Sequence, residues 1–228
     1  MKKIYICADS FGCYDADYPG LSWHEKLEKK LSPQFKIINF SKVCASNLMI
    51  SLQVDKAIIE QADFIIVMGT SVLRDEVKIT DIESKLPLVD RFVDITSNNN
   101  LDTQNLVSYT MLNINQDFLS KVNDTLIAYK KLKDLNLLIY KDQCIIENTL
   151  QKLVDSDIPF VFDQGGFENP QYGAIKNCYF EKFKKYQSKK NMWNYTTNRS
   201  FRPYYHLIDD NITDEFSQYY YSLIVNTL

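Results

Sequence analysis

A serine hydroxyl at the end of an apolar run is the first feature of the chain that could do chemistry. Residues 4 to 15 read IYICADSFGCYD, with Ser10 directly after a strand-like stretch and Gly12 two residues on. A tight turn in that setting projects the hydroxyl from a strand end. The hydroxyl is inert by itself, because its pKa lies far above neutrality; it needs a base within hydrogen-bond reach and donors for an oxyanion. The chain holds two histidines, His24 and His206. His24 precedes Glu28 by four residues on a predicted helix, but no second His or Cys completes a metal site. It reads as a surface or interface histidine, and no metal is expected. His206 lies in SFRPYYHLIDDN at 200 to 211, just before the last predicted helix. A loop returning there could set an imidazole beside Ser10.

The elements that must bring such groups together follow from periodicity. Three runs, KKIYICA (2 to 8), FKIINF (35 to 40) and DFIIVMG (63 to 69), have strand composition and clear breaks on both sides. Between them lie SWHEKLEKKL (22 to 31), where Trp23, Leu27 and Leu31 share a helix face, and a segment from about 47 to 61 carrying Leu48, Leu52, Ile58 and Ile59. Ser22 and Glu25 have capping-box spacing. This β-α-β-α-β order predicts an α/β fold, a three-layer α/β/α sandwich on a mostly parallel, doubly wound sheet, with its crevice at the carboxyl ends of the strands. Residues 8 to 15, 41 to 47 and 69 to 76 would meet there.

From 71 to 157 no strong strand is visible; helical stretches at 114 to 133 and 143 to 154 stand out. IPFVFDQG at 158 to 165 supplies a fourth strand, and Gln164-Gly165-Gly166 a turn. Residues 212 to 228 form a closing amphipathic helix, with Asp214 and Glu215 at the positive end of its dipole. The chain reads as one domain over 1–228, with insertions at about 77–140 and 166–200.

Composition narrows the function classes. The 228 residues are 45% hydrophobic and 24% charged, with a formal net charge of -3, so no bulk field favours nucleic acid or an anionic membrane surface. The five cysteines, at 7, 13, 44, 144 and 178, are odd in number and lack CxxC spacing, which suggests reduced, partly buried thiols. No secretory signal or membrane-length apolar window is visible, so a cytoplasmic location is expected. The aromatic content of 13% fits either a sugar-stacking surface or ordinary core.

Four blocks, ADSFG at 8 to 12, INFSKVCASN at 38 to 47, IIVMGTSVLRDE at 65 to 76 and a histidine before a C-terminal helix, resemble SGNH/GDSL-type hydrolases in order and spacing. Within that family the blocks are most similar to the SGNH-like proteins of bacteriophages and marine viruses. The resemblance covers roughly residues 1 to 76 and 200 to 226. It implies a virus-encoded or similar serine esterase without a cofactor, in which Ser10 is the nucleophile and also donates its own N–H to the oxyanion hole. His206 is the implied base. The second block implies a backbone donor at Cys44, or at Ala45 with a one-residue slip; the third puts Ser71 where the family has asparagine. Pro203 stands at the usual place of the orienting aspartate, and Ala8 at that of a glycine. Asp209 or Asp210 is left to orient His206 from the other side, or the pair works as a dyad. Asp9, Asn47, Thr70, Arg74 and Tyr205 are the expected substrate-binding residues.

Several of these residues also have plainer readings. Arg74, with Asp75 and Glu76, could clamp a loop instead of an anionic group. Trp193, Tyr195, Tyr204 and Tyr205 could be core of the insert instead of a sugar platform. Lys182, Lys184, Lys185, Lys189 and Lys190 fit a solvated face. The leading reading is an ester hydrolase acting on a small acyl group, such as acetyl on a carbohydrate or other small-molecule ester. Two others compete: a weak or inactive SGNH-fold binding or structural module, and a flavodoxin-like domain whose 9 to 15 loop cradles a phosphate.

Overall fold

The computed structural model describes residues 1–15, 18–42, 45–71, 74–78, 92–96, 134–165, 181–190 and 210–228. Four strands, β1 (Lys2–Cys7), β2 (Phe35–Asn39), β3 (Phe64–Met68) and β6 (Phe160–Asp163), form one all-parallel sheet in the order β2-β1-β3-β6. The apolar runs at β3 and β6 are buried along their whole length, as parallel strands covered on both faces must be. The chain steps outward from β1 to β2, then crosses back over β1 to β3. The direction of winding therefore reverses at β1 and β3, whose carboxyl ends flank the switch point where such sheets bind ligands.

Alternation along the strands divides the core in two. Ile4, Ile6, Phe64, Ile66 and Val161 pack under α1 (Trp23–Leu31) and α4 (Asp210–Thr227), with Trp23, Leu27, Phe216, Tyr220 and Ile224 filling that layer. Tyr5, Cys7, Ile65, Val67, Phe160 and Phe162 face α2 (Asn47–Ile59) and α3 (Leu135–Asp155), against Met49, Val54, Leu150 and Leu153. The result is the expected three-layer α/β/α arrangement. Glu25 accepts from the Ser22 hydroxyl (2.6 Å), the Ser22 N–H (3.2 Å) and the Gly20 N–H (2.9 Å), fixing the start of α1.

Two regions differ from the sequence reading. Residues 71 to 157 show no strong strand in the sequence, yet β4 (Arg74–Lys78) and β5 (Phe92–Thr96) pair antiparallel in a separate two-stranded sheet. RDEVK is too charged to show an apolar run, and its strand character lies in backbone pairing. Helix α3 also starts two turns before 143, where Asp134 caps it by accepting from the N–H groups of Asn136 (2.7 Å) and Leu137 (3.4 Å). The helix expected at 114 to 133 and most of both insertions lie outside the described residues. So do Cys44 and Cys178; of the other thiols, Cys7 is buried, Cys13 half-buried and Cys144 exposed. No described helix is long and apolar enough to cross a membrane.

Candidate active site

Strand β1 delivers the chain into a single 3-10 turn, Ser10–Gly12, whose conformation is set by the residue before it. Asp9 caps the turn: one carboxylate oxygen accepts from the Phe11 N–H (2.9 Å), the other from the Thr70 hydroxyl (2.7 Å). The Gly12 and Cys13 N–H groups bond the carbonyls of Asp9 (3.1 Å) and Ser10 (3.2 Å). These bonds occupy the N–H groups of Phe11, Gly12 and Cys13 and leave that of Ser10 out. Ser10 itself is half-buried, and its hydroxyl bonds no described residue. Gly12 must be glycine, because a Cβ there would collide with the Ser41 hydroxyl and approach the Ala8 Cβ to 2.9 Å.

Carbonyls around the turn are held from three elements and the loop after β2. The Trp23 indole donates to Phe11 (2.8 Å), Asn39 to Gly12 (2.6 Å), and Gln53 and the Lys42 N–H both to Ala8 (3.2 Å each). Across the switch point, Asn47 pairs with the backbone of Thr70, accepting from its N–H (2.9 Å) and donating to its carbonyl (3.0 Å). The same Asn47 amide donates to Asp142 on α3 (2.7 Å). The β3 and β6 ends lie backbone to backbone: the Gly69 N–H bonds the Asp163 carbonyl (2.8 Å), and the Gly165 N–H bonds the Asp163 carboxylate (2.8 Å). Gly165, at φ +54°, makes the expected turn there.

Of the residues expected at the site, Ser10, Asp9, Ala45, Asn47, Thr70 and Ser71 all lie at this carboxyl edge. Asp9, Asn47 and Thr70 are buried and bonded to one another or to the turn. The Ala45 N–H donates to the Lys42 carbonyl (3.2 Å), and Ser71 is half-buried beside Thr70. Arg74 opens β4, its backbone opposite Thr96. Asp210 opens α4. Cys44, Trp193, Tyr195, Pro203, Tyr204, Tyr205, His206 and Asp209 lie outside the described residues. On the 3-10 turn Glu181–Tyr186, Lys182 and Lys185 lie over the rings of Phe183 and Tyr186, each 4.7 Å from the ring centroid, and are exposed.

His24 is a correction: it is buried, not on the surface. Its neighbour Trp23 reaches under the 10 to 13 turn, and the imidazole follows, bonding the Cys13 backbone and leaving Nε2 without a partner. Burial lowers its pKa; the Cys13 bond and the charges of Glu25 and Glu28 oppose that shift. Sequence reasoning also passed over Asn39, Gln53 and Asp142. Their signal was available: Gln53 stands among Met49, Ile50, Val54 and Ala57, and Asp142 shares a helix stripe with Ile146, Thr149, Leu150 and Leu153. A polar residue on a buried stripe needs a partner.

Phosphate cradling by the 9 to 15 loop is disfavoured on geometry, since three successive N–H groups are already spent and the Phe11 side chain is buried beneath them. No group of three or more metal-ligating side chains occurs among the described residues. A cavity of about 10 Å³, near the size of one water, lies between α2, α3 and the sheet, bordered by Asn47, Ser51, Gly69 and Thr149.

No protein-family model matches the chain, and no curated protein sequence matches it. Among solved structures, the crystal structure of the lipase Lip_vut3 from a goat rumen metagenome is similar to it with a TM-score of 0.47 and 12% identity, over 97% of this chain and 97% of that one.

Proposed function

We propose that the chain is a serine ester hydrolase of the SGNH/GDSL type, removing a small acyl group such as acetyl from a carbohydrate or another small ester. The observation that carries this reading is the state of Ser10. At the switch point of a doubly wound sheet, its neighbours are fastened from five directions, while its own hydroxyl bonds no described residue and its N–H stays out of the turn's bonds. That is the preparation a nucleophile and its oxyanion donor require.

In this mechanism Ser10 Oγ attacks the acyl carbon while His206 takes the hydroxyl proton. The carbonyl oxygen, now negative, is held by the Ser10 N–H, by Cys44 or Ala45, and by Ser71. His206 returns the proton to the leaving alcohol as the ester C–O bond breaks, and Asp209 or Asp210 orients the ring. Water, deprotonated by the same histidine, then releases the acyl group and regenerates Ser10. Hydrolysis of p-nitrophenyl acetate tests the reading. Ser10→Ala and His206→Ala should each lose on the order of 10³-fold or more of the wild-type rate; an unchanged rate in either sinks the assignment.

A second reading, a non-catalytic binding or structural module on the same fold, is favoured by one observation. The Ala45 N–H, a candidate oxyanion donor, is bonded to the Lys42 carbonyl. Folded wild-type protein with no turnover of the acetate ester would select this reading.

A further inference from the structure

We propose that Asp142 is a positioning residue for the Ser10 turn, acting as the far end of a buried hydrogen-bonded chain that crosses from α3 to the turn. The part of this proposal that concerns reactivity rests on the esterase reading; the part that concerns the turn's geometry does not.

The chain is continuous. Asp142 accepts from Asn47 Nδ2 (2.7 Å). Asn47 grips the Thr70 backbone at both its N–H and its carbonyl. The Thr70 hydroxyl donates to Asp9 (2.7 Å), and the other Asp9 oxygen accepts from the Phe11 N–H (2.9 Å). Ser10 lies between the two residues that this last bond joins. All four side chains, Asp142, Asn47, Thr70 and Asp9, are at most 2% exposed, so each bond acts in a low-dielectric setting where partners polarise one another.

The Asp142 carboxylate is 2% exposed, and Lys141, itself one-third exposed, stands 3.8 Å from it. What a carboxylate adds is direction. It only accepts, so Asn47 must turn its nitrogen toward α3. The amide then has Oδ1 left for the Thr70 N–H and a second hydrogen for the Thr70 carbonyl. Thr70 is thereby fixed with its hydroxyl toward Asp9, and Asp9 with its other oxygen toward the Phe11 N–H.

The test uses the full chain as D142A and D142N, with two readouts: the maximal rate of Ser10 labelling by an alkyl fluorophosphonate, and hydrogen exchange at the Phe11 and Thr70 amides. D142A should label about ten- to a hundredfold more slowly, with its apparent affinity for the probe kept, and both amides should exchange faster. D142N, whose amide can accept from Asn47 but can also turn its own nitrogen toward it, should recover part of both readouts and fall between D142A and wild type. Wild-type behaviour of D142A in both readouts overturns the proposal, as does folded D142N that is as impaired as D142A. Should D142A not fold, Thr70→Val cuts the next link and must slow labelling and expose the Phe11 amide; if it does neither, the proposal also fails. If wild-type protein neither labels nor hydrolyses p-nitrophenyl acetate, the esterase reading is what has failed, and amide exchange alone decides the positioning claim.

Discussion

On the α1/α4 side the sheet is covered mainly by aromatic and aliphatic side chains, and the buried hydroxyls of Ser217 and Thr213 bond within the helix layer: Ser217 donates to the Asp214 carbonyl of its own helix (2.9 Å), and Thr213 accepts from Lys26 on α1 (2.7 Å). The α2/α3 side has a comparable apolar centre, but toward the carboxyl edge it is broken by Asn47, Ser51, Gln53, Asp142 and Thr149, none more than 5% exposed. These polar groups bond across elements: Gln53 to the end of β1, Asn47 to the end of β3 and to α3, Thr149 to Ser51 on α2 (2.7 Å). Non-directional burial stabilises without fixing a loop's orientation, whereas satisfied buried hydrogen bonds specify it. One layer therefore supplies mainly stability, reaching the Ser10 turn through Trp23 and His24, and the other ties the strand-end turns to one another.

The comparison breaks most visibly at Phe216. It is fully buried and stacks on Tyr220 at 6.4 Å, so Phe216→Ala should cost about 3–5 kcal/mol in equilibrium denaturation. Yet in the folded population the Phe11 amide should exchange as in wild type. Asn47→Ala is expected to reverse that pattern. It strands the Thr70 N–H and carbonyl and removes the Asn47 bond to Asp142, costing a smaller ~1–3 kcal/mol, while the Thr70 and Phe11 amides lose protection. If Phe216→Ala loosens the turn as much as Asn47→Ala does, the two layers do not divide the work.

The features legible in the sequence were those carried by local pattern. DFIIVMG announces a doubly buried strand, SWHE a capped helix start, and ADSFG a turn after β1, because each depends on residues a few positions apart. The four-stranded order follows from alternation of such segments. What escaped depends on contacts distant in sequence: Asn47 and Asp142 are 95 residues apart, Asn39 and Gly12 are 27 apart, and no spacing rule joins them. His24 was misread because its burial comes from a loop folding over the helix, which helix periodicity does not encode. RDEVK was passed over because an edge strand with four charges shows neither an apolar run nor alternation. Ser10 and its turn were thus readable; the scaffold that holds them was not.

A smaller effect is expected at the start of α1, on the aromatic side. Glu25 gathers three donors from residues 20 and 22; burial works against its ionised form, and the bonds to Ser22 and Gly20 outweigh it, so its pKa is lowered. Glu25→Ala should cost about 1 kcal/mol, read by urea denaturation at pH 7. A loss as large as that at Phe216 would mean that local capping, rather than the aromatic layer, dominates this side.

At neutral pH the weakest effect is at His24, where the aromatic layer meets the Ser10 turn, its ring 5.8 Å from that of Trp23. Burial lowers its pKa in the folded protein below the ordinary 6.5, against the opposing Cys13 bond and the Glu25 and Glu28 charges. Between those two values the unfolded chain binds a proton that the folded protein refuses, so stability must rise with pH in that window. His24 thus leaves stability intact above about pH 6.5 and erodes it as pH falls below 6.5 toward the folded value, after which the loss is complete. Urea denaturation from pH 5 to 8 should show that rise in wild type and a flatter profile in His24→Gln, with His206 common to both proteins. Equal slopes would mean that His24 is protonated as readily folded as unfolded, and that the loop over α1 opens to water instead of sealing the ring beneath the turn.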